Sequence, residues 1–187
     1  MHKTKEVRWF FRPGIERVED WFDGLENATR QTRTDNYLKL KNDDIGVKLR
    51  DGKVEIKHRI GTRAKGCLRM NIWGHYDDFI KWSFDADQSD ALFSQVLEGE
   101  YETWIPVEKE RRLVQLTEAN GGIVTESVSA DVPFGCQVEY SQIRLNEEIW
   151  HTFGLEWFGD RCLKLDEEIV TDIFGSTELQ MQQSKGY

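Results

Sequence analysis

Ile45 to Arg59 reads I-G-V-K-L-R-D-G-K-V-E-I-K-H-R, two alternating runs on either side of Asp51-Gly52. An Asp-Gly pair supplies the positive φ angles that a two-residue type I′ turn requires. The turn sets the register. Arg50 faces Lys53, Leu49 faces Val54, Lys48 faces Glu55, Val47 faces Ile56 and Gly46 faces Lys57. Successive side chains alternate faces. Lys48, Arg50, Lys53, Glu55, Lys57 and Arg59 therefore share one face, and Val47, Leu49, Val54 and Ile56 share the other. On an open antiparallel sheet the charged face is simply wet. On a sheet that curls, it becomes a concave basic surface that holds a polyanion.

The chain has 187 residues, enough for one domain over 1–187 with a sizeable core. Seven Trp and ten Phe supply large packing units. The formal charge of −9 argues against a general nucleic-acid binder but leaves room for a local basic site. Cys67, Cys136 and Cys162 form neither a zinc pattern nor a disulfide framework, and are expected to be buried small hydrophobes in a reducing compartment. The N-terminus lacks an apolar stretch of signal-peptide type, and no segment approaches membrane-spanning length. The expectation is a cytoplasmic protein with no membrane partner; the pattern does not give its oligomeric state.

Further strands follow from alternation. Lys5 to Phe11 sets Val7, Trp9 and Phe11 against Glu6, Arg8 and Phe10. Pro13-Gly14 ends that run. Ile15, Val18, Trp21, Phe22 and Leu25 then have the spacing of an amphipathic helix packed on a sheet. Asn27 to Thr34 reads as a polar connection and Asp35 to Leu40 as a strand. Ile60 to Gly66 reads as a basic, glycine-flanked loop, and Leu68 to Trp73 and Phe79 to Phe84 as strands. Ser89 can cap a short helix through Leu97. Tyr101 to Leu116 carries Lys109 and Arg111 on one face, with Arg112 and Val114 on the other. Asn120-Gly121-Gly122 and Asn146-Glu147 are turns, the second joining Cys136–Leu145 to Ile149–Trp157. Ile123 to Val132 alternates between them. In the tail, Leu163 to Met181 has near-helical spacing interrupted by Gly175. The fold class is α+β, an antiparallel sheet curling toward a barrel with helices packed outside.

There is no phosphate-binding glycine loop and no nucleophile elbow. His2, His58, His75 and His151 lack metal-ligand spacing, and His58 falls where the apolar hairpin face reaches solvent. The recurring feature is charge on one face of several strands: Glu6 with Arg8, the hairpin set, Lys109 with Arg111, and Glu139 and Glu156 on the last two strands. In a barrel whose apolar faces point outward against helices, these faces point inward. Interior cations bind phosphate oxygens through charge-assisted hydrogen bonds, and interior carboxylates hold divalent cations.

Five segments resemble the CYTH, or triphosphate tunnel metalloenzyme, superfamily: Arg33-Thr-Asp35-Asn-Tyr37, Gly46-Val-Lys48-Leu-Arg50, Val54-Glu55-Ile-Lys57, Lys109-Glu-Arg111 and Phe153-Gly-Leu-Glu156. The resemblance implies an eight-stranded antiparallel tunnel that binds or cleaves triphosphate compounds with Mg2+ or Mn2+. It assigns Arg8, Lys48, Arg50, Lys57, Arg59, Lys109 and Arg111 to phosphate, and Glu6, Glu55, Glu139 and Glu156 to metal. The N-terminal strand departs from the pattern. Where the family has Glu-x-Glu-x-Lys, this chain has Glu6-Val-Arg8-Trp-Phe10. A cation in place of a ligating carboxylate weakens metal binding, and hydrolysis by activated water depends on that metal. The expected function is therefore binding of a triphosphate, polyphosphate or other phosphorylated small molecule, with catalytic residues unassigned. Two alternatives are an active metal-dependent triphosphatase and a non-catalytic interaction domain on the same scaffold. A lipocalin-like barrel would instead require an apolar interior.

Overall fold

In the computed structural model, which describes residues 2–87, 89, 96 and 103–185, the Asp51-Gly52 turn has φ 48° and 73° at its two residues. It joins β3 (Ile45–Arg50) to β4 (Lys53–Arg69) in the register expected from the sequence. Before them come β1 (His2–Phe11), α1 (Glu16–Asp23) and β2 (Thr29–Leu38). After them come β5 (Ile72–Asp85), β6 (Trp104–Ala119), β7 (Gly122–Glu126), β8 (Phe134–Leu145), β9 (Glu148–Gly159), α2 (Glu167–Phe174) and a 3-10 turn at Met181–Gln183.

The strands pair in the order β2-β3-β4-β5-β1-β9-β8-β6, and a further β2–β6 pairing closes the ring. The result is a closed, antiparallel, eight-stranded barrel, with β7 attached to β6 as an extra strand. The closing seam is long, running from Thr29 opposite Leu113 to Leu38 opposite Trp104. Closure removes free sheet edges around the ring.

The apolar core lies outside the barrel wall. Val7, Trp9, Phe11, Val138, Phe153 and Leu155 turn outward and pack with Val18 and Phe22 of α1 and Val170, Ile173 and Phe174 of α2. The Phe153 and Phe174 rings meet edge to face with centroids 4.7 Å apart. The Trp9 indole N–H donates to the Trp73 carbonyl at 2.7 Å. Burying each large apolar side chain of this kind contributes about 1.5–3 kcal/mol. With the apolar faces committed outward, the opposite faces of the same strands must look into the barrel.

Several local expectations change. Thr29 to Thr34 is strand, not connection, and forms much of the closing seam. Ile60 to Gly66 belongs to β4, whose register with β5 shifts between Ile60 and Ala64. Gly61, with φ 77°, permits that bulge. Leu68 to Trp73 is divided by a turn at Met70-Asn71. The strand expected through Leu40 ends at Leu38, and the strand expected through Val132 ends at Glu126. Cys136 is buried, but Cys67 and Cys162 are exposed. The helix expected from Ser89 to Leu97 lies largely outside the described residues. No described helix is long and apolar enough to cross a membrane.

Candidate functional site

The barrel interior encloses a cavity of about 710 Å³. Among the described residues, Arg8, Arg33, Lys48, Arg50, Lys57, Lys81, Lys109 and Arg111 line it, together with Glu6, Glu55, Glu139 and Glu156, while Arg30 only borders it and carries its guanidinium to Asp23 of α1 at 2.7 Å. The register explains the convergence. Glu6 stands opposite Glu156, Lys57 opposite Lys81, Lys48 opposite Glu55 and Arg33 opposite Lys109. Directly opposed residues share a face, so each pairing brings two charged side chains to the same side of the wall. Lys48, Arg50, Glu55 and Lys57 of the charged hairpin face are thus interior, so closure overturns the open-sheet reading for them, while Lys53 beside the turn stays exposed and pairs with Asp85. The interior is also too charged for a lipocalin-like apolar pocket.

Three carboxylate centres organise the cations. Asp35 is fully buried; its oxygens lie 3.0 Å from Arg33 Nε, 3.1 Å from Lys109 Nζ and 3.5 Å from Lys48 Nζ. Tyr37 donates its hydroxyl to Asp35 at 3.2 Å and accepts from Lys109 at 2.6 Å. Burial alone would raise the Asp35 pKa, but Lys109, Lys48 and Arg33 outweigh it and bring it down to about 2. The Arg33 Nε–Asp35 Oδ1 contact is an ion pair by distance without hydrogen-bond alignment.

At the second centre, Glu139 accepts from Arg8 at 2.9 Å, from Ser141 Oγ at 2.9 Å and from Arg111. Burial opposes its ionisation, yet Arg8 and Arg111 hold its carboxyl far below the usual range. Gly154, directly opposite Arg8, makes room for this guanidinium: a Cβ there would lie 2.6 Å from Arg8 Cζ. Arg8 is therefore built into the site by its neighbours on β8 and β9.

The third centre is the facing pair Glu6 and Glu156. Lys81 Nζ sits 2.7 Å from Glu6 and 2.6 Å from Glu156, and Lys57 bonds Glu6 from the other side. Burial is offset at Glu6 by Lys57 and Lys81, which push its pKa down. Burial and the nearby Glu6 charge push Glu156 up instead. Lys57 also lies over the Phe79 ring, 3.9 Å from its centroid. Across the β3–β4 hairpin a further carboxylate, Glu55, accepts from Lys48 at 2.9 Å and from Arg50. Burial pulls Lys48 down to about 8, with Arg50 adding to the effect and Asp35 and Glu55 opposing it.

Of the residues assigned to phosphate or metal from the sequence, all but Arg59 line the cavity. Arg59 pairs with Asp77 at 3.0 Å and Asp44 at 2.5 Å. The sequence reading missed Arg33 and Asp35 as site residues, although both stand in a quoted motif, and missed Lys81 altogether. The alternation Phe79, Lys81, Ser83 was the available signal for Lys81.

The four Glu side chains were expected to hold a divalent metal. Each is already spanned by Lys or Arg nitrogen atoms, Arg8 standing on Glu139 and Lys81 between Glu6 and Glu156. No group of three or more His, Cys, Asp or Glu among the described residues is arranged to hold a metal ion. As placed, these side chains do not fit a divalent cation.

No family model matches the chain, and no curated protein matches it. Among solved structures it is similar to the S. pombe RNA triphosphatase Pct1, at 9% identity over 85% of this chain and 70% of that one, with a TM-score of 0.39. At that level the likeness says nothing about the site.

Proposed function

We propose that the protein, acting as one domain, binds a triphosphate, polyphosphate or other phosphorylated small molecule inside the barrel. The observation that carries this reading is the convergence of eight cations on one cavity inside the barrel, Arg8, Arg33, Lys48, Arg50, Lys57, Lys81, Lys109 and Arg111. They outnumber the carboxylates that hold them, which are Glu6, Asp35, Glu55, Glu139 and Glu156. An excess of positive charge converging inside the barrel favours a multiply charged anion, because water screens charge less there than on an open surface. The motif resemblance to triphosphate tunnel proteins supports the same ligand class. The volume suits a small molecule rather than a nucleic-acid duplex.

Binding, not hydrolysis, is the function these residues support, since the carboxylates that would organise a catalytic metal are engaged by cations. Isothermal titration with inorganic tripolyphosphate tests the reading, with and without Mg2+. Saturable one-to-one binding that weakens in Lys109→Ala and Arg111→Ala is the expected result. No heat at millimolar ligand in either condition would refute it.

A further inference from the structure

Glu6 and Glu156 face each other on neighbouring strands, and both are turned into the cavity. Two carboxylates in that position repel unless a cation lies between them. The chain supplies its own. Lys81 reaches from β5 and places its ammonium 2.7 Å from Glu6 Oε1 and 2.6 Å from Glu156 Oε1. Its position is set by register, since Lys81 is paired with His2 on β1 and with Lys57 on β4. Lys57 takes the other oxygen of Glu6. A metal ion entering here would meet an ammonium already in bonding distance of the same two ligands. Like charges at such separations in a site of low exposure repel strongly.

We propose that the Lys81 ammonium stands in place of a divalent cation between Glu6 and Glu156, so that the cavity takes a linear polyphosphate as the free anion and not as its magnesium complex. The ligand class rests on the function proposed above; the role of Lys81 does not. A metal-chelated polyphosphate carries less negative charge and brings a cation toward Lys81 and Lys57. Free polyphosphate keeps its full charge for these two ammonium groups. Mg2+ in solution then competes with the protein for ligand, and apparent affinity falls by mass action.

Two readouts test this separately. The first is Mn2+ titration followed by electron paramagnetic resonance, with no phosphate present. Wild type and Lys81→Arg should leave the free-Mn2+ signal unchanged. Lys81→Gln should remove signal, and the further change Glu156→Gln should restore it. The second is calorimetric titration with tripolyphosphate, in EDTA and in excess Mg2+. Wild type should bind in EDTA and bind more weakly in Mg2+. Lys81→Gln should lose about tenfold in EDTA, the equivalent of one charge contact, and Lys81→Arg should retain affinity. Circular dichroism confirms that each variant is folded. Wild-type protein that takes up Mn2+ as well as Lys81→Gln overturns the role of Lys81. Tripolyphosphate binding that requires Mg2+ overturns the free-anion ligand. If no tripolyphosphate binds in either buffer, the proposed function fails, and the Mn2+ comparison still decides what Lys81 does.

Discussion

Replacing Asp35 with Asn tests whether the interior charges are arranged as described. The change keeps the shape of the side chain and removes its charge from the reach of Arg33, Lys48 and Lys109. The Asp35 pKa is about 2, against an ordinary value of 3.8. A tenfold change in proton affinity corresponds to about 1.4 kcal/mol, so ionised Asp35 stabilises the fold by about 2 kcal/mol. The group is fully buried, so solvent screening does not reduce this much. The sign follows from the lowered pKa. Above pH 3.8 the carboxylate is ionised both folded and unfolded, and the full stabilisation is present. As pH falls toward 2 the folded form must take up a proton, and the stabilisation is lost. Urea unfolding of wild type and Asp35→Asn at a series of pH values is the assay. The variant should be less stable by about 2 kcal/mol at pH 7, and the gap should close between about pH 4 and pH 2. Adding tripolyphosphate at pH 7 should recover part of the loss, because the ligand supplies the missing negative charge. A variant as stable as wild type at pH 7, or a gap that stays constant down to pH 2, would refute the assigned cation cluster.

Other outcomes follow from the same geometry. Tripolyphosphate affinity should fall as pH rises through about 8, where Lys48 loses its charge, and Lys48→Arg should flatten that profile in calorimetric titrations. Gly154→Ala should destabilise by about 1–3 kcal/mol because its Cβ collides with the Arg8 guanidinium. In an Arg8→Ala background that penalty should largely vanish, which a double-mutant cycle by chemical denaturation reads directly. Phe153→Ala should cost about 3–5 kcal/mol by opening a cavity between the barrel wall and α2, in the same unfolding assay.

The ease of reading each segment depended on what covers its outer face. β1, β8 and β9 have helices against them, so Val7, Trp9, Val138, Phe153 and Leu155 alternate visibly with polar residues. β2 is different. Thr29, Gln31 and Arg33 turn into the charged cavity, and their neighbours Arg30, Thr32 and Thr34 are polar as well. With no apolar face to bury, the segment has no strand-like hydropathy, and only pairing to β6 makes it a strand. The β4 bulge was hidden for a related reason. Gly61 and the basic residues around it look like a loop, but the strand resumes beyond them and turns Arg63 onto Asp77 at 2.9 Å.

The sequence by itself determined the local structure of the hairpins. Asp51-Gly52, Asn120-Gly121 and Asn146-Glu147 provide the positive φ values of their turns, and each turn fixes a register and therefore a charged face. It could not determine which side of that face is inside. Alternation is identical for an open sheet wetted on its polar side and a barrel filled with charge. Tertiary structure decided the matter through the β2–β6 seam, a pairing between segments distant in sequence that no local pattern encodes. Once that seam closes, the basic face of Ile45 to Arg59 encloses a cavity, and Lys81, unremarkable on its own strand, comes to lie between Glu6 and Glu156.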